Sequence, residues 1–162
     1  MITVWHLELP GPGAFRPSEV ALRFRLERVT APAPAFLRFL YVTVGHDWSW
    51  TDRLPWTDDQ WLARQADPAV EFWVGLERGA PAGYFELARH TDGRTVELAY
   101  FGLLPHEVGR GQGRAMLSVA VERAWAMGAS RVYVNTCSLD HPNALENYRR
   151  RGFALFDTTE RT

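Results

Sequence analysis

The chain contains no lysine; all 18 of its basic side chains are arginine, set against 19 acidic ones. Without lysine there is no Gly-Lys-Ser/Thr ending, so a P-loop nucleotide site is excluded. A net charge of −1 supplies no broad basic field of the kind that draws nucleic acid to a surface. Cysteine is nearly absent too: Cys137 alone cannot close an internal disulfide, which fits a reducing compartment. No apolar run approaches the roughly 18 residues that a membrane helix needs. The opening MITVWHLELPGPG lacks the basic and apolar stretches of an export signal. These absences predict a soluble, cytoplasmic protein with neither nucleic acid nor membrane as partner. His46 and His141 show no metal-ligand spacing, and no metal site is expected.

What is present is ordinary globular material, 46% hydrophobic, in a length that suits one domain over residues 1–162. Residues 2–9 read as a strand, followed by the turn-forming loop PGPGAFRPS. In residues 19–29, Val20, Leu22, Phe24 and Leu26 alternate with Ala21, Arg23, Arg25 and Glu27, which predicts a strand with one buried face. The two strands are expected to pair as an antiparallel hairpin. A helix opens near Pro34 with Phe36, Phe39, Leu40 and Val44 at helical spacing, and Thr57 caps a second that ends near Asp67-Pro68. Strands over 70–77 and 83–90 flank the turn ERGAP, and the Asp-Gly step in His90–Arg94 turns the chain into an apolar strand from Val96 to Leu104. A long helix follows and stops at Gly128. A strand over 131–137, a helix over 142–150 ended by Gly152, and a last strand over 153–157 complete the chain. This order predicts a mixed sheet flanked by helices on both faces.

Chemistry is concentrated where the strand ending at Leu104 gives way to the long helix. Gly109, Gly111 and Gly113 alternate there with Arg110, Gln112 and Arg114. Glycine lets backbone approach a ligand closely, and a helix N-terminus offers unpaired N–H groups to an anion, so the loop reads as a pyrophosphate cradle. A Rossmann turn is a poor match: Arg114 stands where the third glycine belongs, and no acidic residue ends a strand about 20 residues on.

The stretch resembles the GCN5-related N-acetyltransferases (GNAT), whose signature Gln/Arg-x-x-Gly-x-Gly/Ala maps here to residues 108–113. Val108 stands in place of Gln or Arg. Residues 141–153 are similar to the family's Asn-x-x-Ala-x-x-x-Tyr-x-x-x-Gly-Phe, with Ala144, Tyr148, Gly152 and Phe153 in register and His141 at the usual Asn position. Asn143 lies near enough to substitute for it. The element order matches as well, so the resemblance spans roughly residues 19–157. It implies an α/β (α+β) fold with a mixed, mostly antiparallel sheet, here with an extra N-terminal strand.

That resemblance further implies an acetyl-CoA-dependent transfer of an acetyl group to a primary amine, directly in a ternary complex. Gly109, Arg110, Gly111, Gln112, Gly113 and Arg114 would hold the diphosphate of coenzyme A, backbone groups of Gly102, Leu103 and Leu104 would hold its pantetheine end, and Asn143 would also bind the cofactor. Glu97, fourteen residues before Gly111, is the candidate general base; Val96, Leu98 and Tyr100 are expected to face away from it. Tyr148 is the candidate general acid. Trp48, Trp50, Trp56 and Trp61 suggest an aromatic wall near the acceptor, with Asp47, Asp52, Asp58 and Asp59 beside it, although core packing and helix capping are the plainer roles for these residue types. Cys137 reads as a packing residue. The acceptor, a small molecule or peptide, is not legible. Homodimers are frequent among look-alikes. The alternatives are a module that binds acyl-CoA without turnover and a transferase of a longer acyl group.

Overall fold

The computed structural model describes residues 1–162. The chain runs through β1 (Ile2–Leu9), β2 (Arg25–Arg28), α1 (Pro34–Gly45), α2 (Asp58–Ala66), β3 (Val70–Glu77), β4 (Ala80–Arg89), β5 (Thr95–Leu103), α3 (Gln112–Ala126), β6 (Arg131–Cys137), α4 (Ala144–Arg150) and β7 (Ala154–Arg161). All seven strands form one sheet in the order β2-β3-β4-β5-β6-β1-β7. β5 and β6 run parallel and every other neighbouring pair is antiparallel. The expected mixed, mostly antiparallel α+β architecture is present.

Local chemistry accounts for most elements. Arg78 and Gly79 both take positive φ (52° and 87°), the backbone that a tight β3–β4 hairpin requires. The Asp92 carboxylate accepts hydrogen bonds from Arg94 N, Thr95 N and Thr95 Oγ1, which stiffens the β4–β5 turn. Thr57 and Gln60 form a reciprocal capping box at the start of α2. One sheet face packs on α3 and α4 through a core that includes Phe85, Leu98, Met116, Leu117 and Val134. The other face meets α1 and α2 through Leu37, Tyr41, Trp61 and Phe72.

Four expectations are corrected. β1 does not pair with β2; it lies between β6 and β7, antiparallel to both. There both of its edges are hydrogen-bonded and Leu7 and Leu9 are fully buried, whereas β2 is only four residues long and forms the far edge of the sheet. Residues 19–24 alternate like a strand but are claimed by side chains of α3: Gln112 Oε1 accepts from Arg23 N, its Nε2 donates to Ala21 O, and Ser118 Oγ accepts from Ser18 N. The buried stripe of α1 is Leu37, Leu40, Tyr41 and Val44, with Phe39 exposed and Phe36 half-buried. α4 also begins two residues later than expected, at Ala144.

Candidate active site

The parallel pair β5–β6 is short. Thr95, Val96 and Glu97 register with Arg131, Val132 and Tyr133, and beyond that point the two strands separate. The gap opens a cleft of about 770 Å³ lined by Leu98–Leu103 on one side and Val134–Cys137 on the other, with the glycine loop and α4 at its borders. Past Glu97 the β6-facing edge of β5 has no strand partner, so it offers an extended ligand backbone groups to pair with.

A bulge decides which side chains share this space. Leu87 registers with Leu98 but Glu86 with Tyr100, so Ala99 is an extra residue on β5. The alternation therefore resets, and Tyr100 emerges on the same face as Glu97, against the expectation that it faces away. Tyr100 packs with Tyr41 and Trp50 under α1 and α2. Glu97 sits at the apex of the separation, 2.8 Å from His90 Nε2, with both side chains partly exposed.

Tyr148 enters from α4. It is 6% exposed yet lines the cleft, and its ring packs edge-on against Phe153. Burial raises its phenol well above the usual tyrosine value, and the Asp140 carboxylate adds to the rise. The hydroxyl therefore stays protonated at neutral pH. The Asp140 carboxylate itself is engaged by Thr136 Oγ1 at 2.6 Å and Cys137 N at 2.9 Å.

At the opposite end lies the glycine loop. Gly109 and Gly111 take φ of 87° and 76°. Gly111 is the N-cap of α3 and supplies no side chain to cap it, so the first N–H groups of the helix remain available to an anion. Glu107, 1% exposed, anchors the loop from beneath through Arg23 NH2 at 2.7 Å. Arg114 lines the cleft, whereas Arg110 does not and leans toward Glu107 at 3.8 Å. Gln112 is buried with its side chain on residues 21–23, which leaves only its backbone to face a ligand. Gly102 and Leu103 line the cleft. Leu104 is buried and donates its N–H to Ala82 O, so it is already committed to the sheet. Asn143 lines the cleft beside His141, whose Nδ1 accepts from Asn143 N.

The four tryptophans divide. Trp48 and Trp50 line the cleft, and Trp48 meets His141 edge-on at 4.9 Å, joining loops from either side of it. Trp56 and Trp61 instead pack around the guanidinium of Arg53. That arginine and Arg64 share the fully buried Glu86 carboxylate. Burial works against the Arg53 charge, but Glu86 outweighs it and holds the group above its ordinary value. Of the four aspartates only Asp52 reaches the cleft, while Asp58 pairs with Arg38 at 2.6 Å. Cys137 is a partly exposed free thiol on the cleft wall rather than a packed one.

Sequence reading missed His90, Asn147 and Arg151. The β4–β5 register was implicit in the His90–Arg94 turn and could have brought His90 beside Glu97. Asn147 on α4 and Arg151 at its C-cap stand four apart, a spacing that puts both on one helical side.

The acetyltransferase (GNAT) family model matches residues 34–153. No curated protein matches the chain. Among solved structures, a GCN5-related N-acetyltransferase from Kribbella flavida superposes with a TM-score of 0.67 at 21% identity, covering 98% of this chain and 57% of its own. A GCN5-related N-acetyltransferase from Sphaerobacter thermophilus gives 0.61 at 19%, covering 97% and 49%. An aminoglycoside acetyltransferase from an uncultured soil metagenomic sample gives 0.64 at 12%, covering 78% and 85%. These likenesses establish the fold. The chain spans about half to three-fifths of the length of the first two proteins.

Proposed function

The chain belongs to the acetyltransferase (GNAT) family, and from that premise we propose that it moves an acetyl group from acetyl-coenzyme A to a primary amine by direct transfer in a ternary complex. The observation that carries this reading is the separation of β5 from β6 after Glu97, with an uncapped, glycine-led helix at the border of the cleft. The residues fit the cofactor. Gly111 N-caps a helix whose amides are free for a diphosphate, and Gly109 and Gly111 both hold the positive φ that shapes the loop.

When bound, acetyl-coenzyme A supplies a thioester-activated acyl group. Backbone N–H groups of residues 109–114 would hold the diphosphate, and the free edge of β5 near Gly102 and Leu103 would hold the pantetheine arm as an added strand would. An N–H on that edge also steadies negative charge growing on the carbonyl oxygen. Glu97, steadied by His90, takes a proton from the amine. Tyr148 would supply the proton that the leaving thiolate needs as the amine takes the acyl group. Holding amine and thioester together contributes several kcal/mol by itself, on the order of the effects measured for oriented reactants.

Thiol release from acetyl-, propionyl- and succinyl-coenzyme A, measured across a panel of amines, tests the proposal. Amine-dependent release that is fastest with the acetyl donor supports it. Preference for a longer donor corrects the acyl group, and calorimetric binding without release on any amine replaces the enzyme by a binding module.

A further inference from the structure

α4 brings two residues toward the glycine loop. Asn147 Nδ2 comes within 4.0 Å of where a Cβ on Gly113 would sit, and Arg151 follows one turn later; both line the cleft. The Arg151 side chain is unusual in this protein. Its Nε and Nη1 are buried and have no hydrogen-bond partner. The residue as a whole is only partly buried, but donors shut away from water without a partner are costly, because the lost hydration is not replaced.

Its neighbours make matters worse. Burial lowers the pKa of Arg151, and the nearby charges of Arg114 and Arg150 lower it further; no carboxylate offsets them. Arg150 is paired with Glu146 at 3.2 Å, and Asp140, another carboxylate on this wall, is held by Thr136 and Cys137. Arg114, exposed on the first turn of α3, makes only a 3.4 Å contact to Gly111 O. Two unpaired guanidinium groups therefore lie near each other beside the diphosphate cradle, and an anion between them is the missing countercharge.

We propose that Arg114 and Arg151 form a second anion site beside the glycine loop, and that it takes the phosphomonoester on the 3′ position of the coenzyme A ribose. This rests on the coenzyme A reading of the cleft. The glycine loop provides for the diphosphate with backbone amides, and the arginine pair provides for the dianion that 3′-dephospho-coenzyme A lacks. Arginine suits this task because its planar fork can give a phosphate two hydrogen bonds at once.

Calorimetric titration of the full chain with coenzyme A and with 3′-dephospho-coenzyme A tests the site by affinity, without turnover. The intact protein should bind coenzyme A about tenfold or more tightly than the dephospho form, the scale of a charge-assisted contact. Arg151→Gln should bring the affinity for coenzyme A down to that of the dephospho form, leave the latter within about twofold, and lose less when made as Arg151→Lys. Arg114→Gln, at an exposed position, should show the same selective loss and serves if Arg151→Gln does not fold. Equal affinity of the intact protein for both ligands overturns the proposal. So does an equal loss on both in Arg151→Gln, which would assign that residue to the diphosphate or to the fold. If the intact protein binds neither, the coenzyme A reading falls first and this site falls with it.

Discussion

Tyr148 and Glu97 reach the cleft from different elements, and each makes a separate prediction. Burial keeps the Tyr148 phenol protonated while making it a weaker acid, so its proton is in place for a basic thiolate, and replacing Tyr148 by Phe removes that proton while keeping the ring against Phe153. Turnover should fall about tenfold or more, with cofactor affinity nearly unchanged; unchanged turnover would remove Tyr148 from the mechanism. Glu97→Gln removes the proton acceptor, so its rate loss should shrink as pH rises and the amine deprotonates without help. A loss that is the same at every pH would point to a structural role. Both residues were legible in the sequence from family spacing. The His90 contact follows from the register that the His90–Arg94 turn sets, but the reset of β5 at Ala99 depends on pairing with a neighbouring strand, which no local pattern encodes.

Elements built on local chemistry were the most legible: the Thr57 cap, the hairpin turn at Arg78-Gly79, the glycine loop, and the stop at Gly128, where φ is 93°. Each depends on residues adjacent in sequence. The alternating run 19–24 shows the limit of such reading, since its pattern is overruled by backbone hydrogen bonds to Gln112 and Ser118, nearly a hundred residues away. The β4–β5 turn yields a pH prediction. Three hydrogen bonds, from the Thr95 hydroxyl and the Arg94 and Thr95 amides, lower the Asp92 carboxyl to about 2 from 3.8. A depressed acid binds its proton more weakly in the folded state than in the unfolded one. Its stabilising contribution is therefore complete above about pH 4 and is lost as pH falls toward about 2. Asp92→Ala should lower the melting temperature near neutrality, and the gap from the parent protein should close over that acid window. A gap that persists unchanged to pH 2 would show that the carboxylate charge plays no part.

At the scale of the molecule, the opening residues complete the half of the sheet that carries α4. β1 registers with β6 along Val4–Leu9 and with β7 along Ile2–Glu8. Arg16 N then bonds to Arg151 O at 2.9 Å, and the Ala14 carbonyl lies so close to Gly152 that no side chain would fit there. The segment thus braces the C-terminal end of the helix that presents Tyr148, Asn147 and Arg151 to the cleft. The sequence pattern identified a strand at 2–9 but not its partners, since pairing across more than a hundred residues leaves no local trace. Leu7, fully buried opposite Val134, measures how much depends on this placement. Leu7→Ala should cost about 2–5 kcal/mol, the range for buried leucine truncations, read as a lower denaturant midpoint at constant slope. Val20→Ala, in the exposed stretch once expected to be β1's partner, should shift stability by no more than about 0.5 kcal/mol. Comparable small losses at both positions would mean that β1 is a peripheral hairpin arm rather than an interior strand, and that α4 is braced by something else.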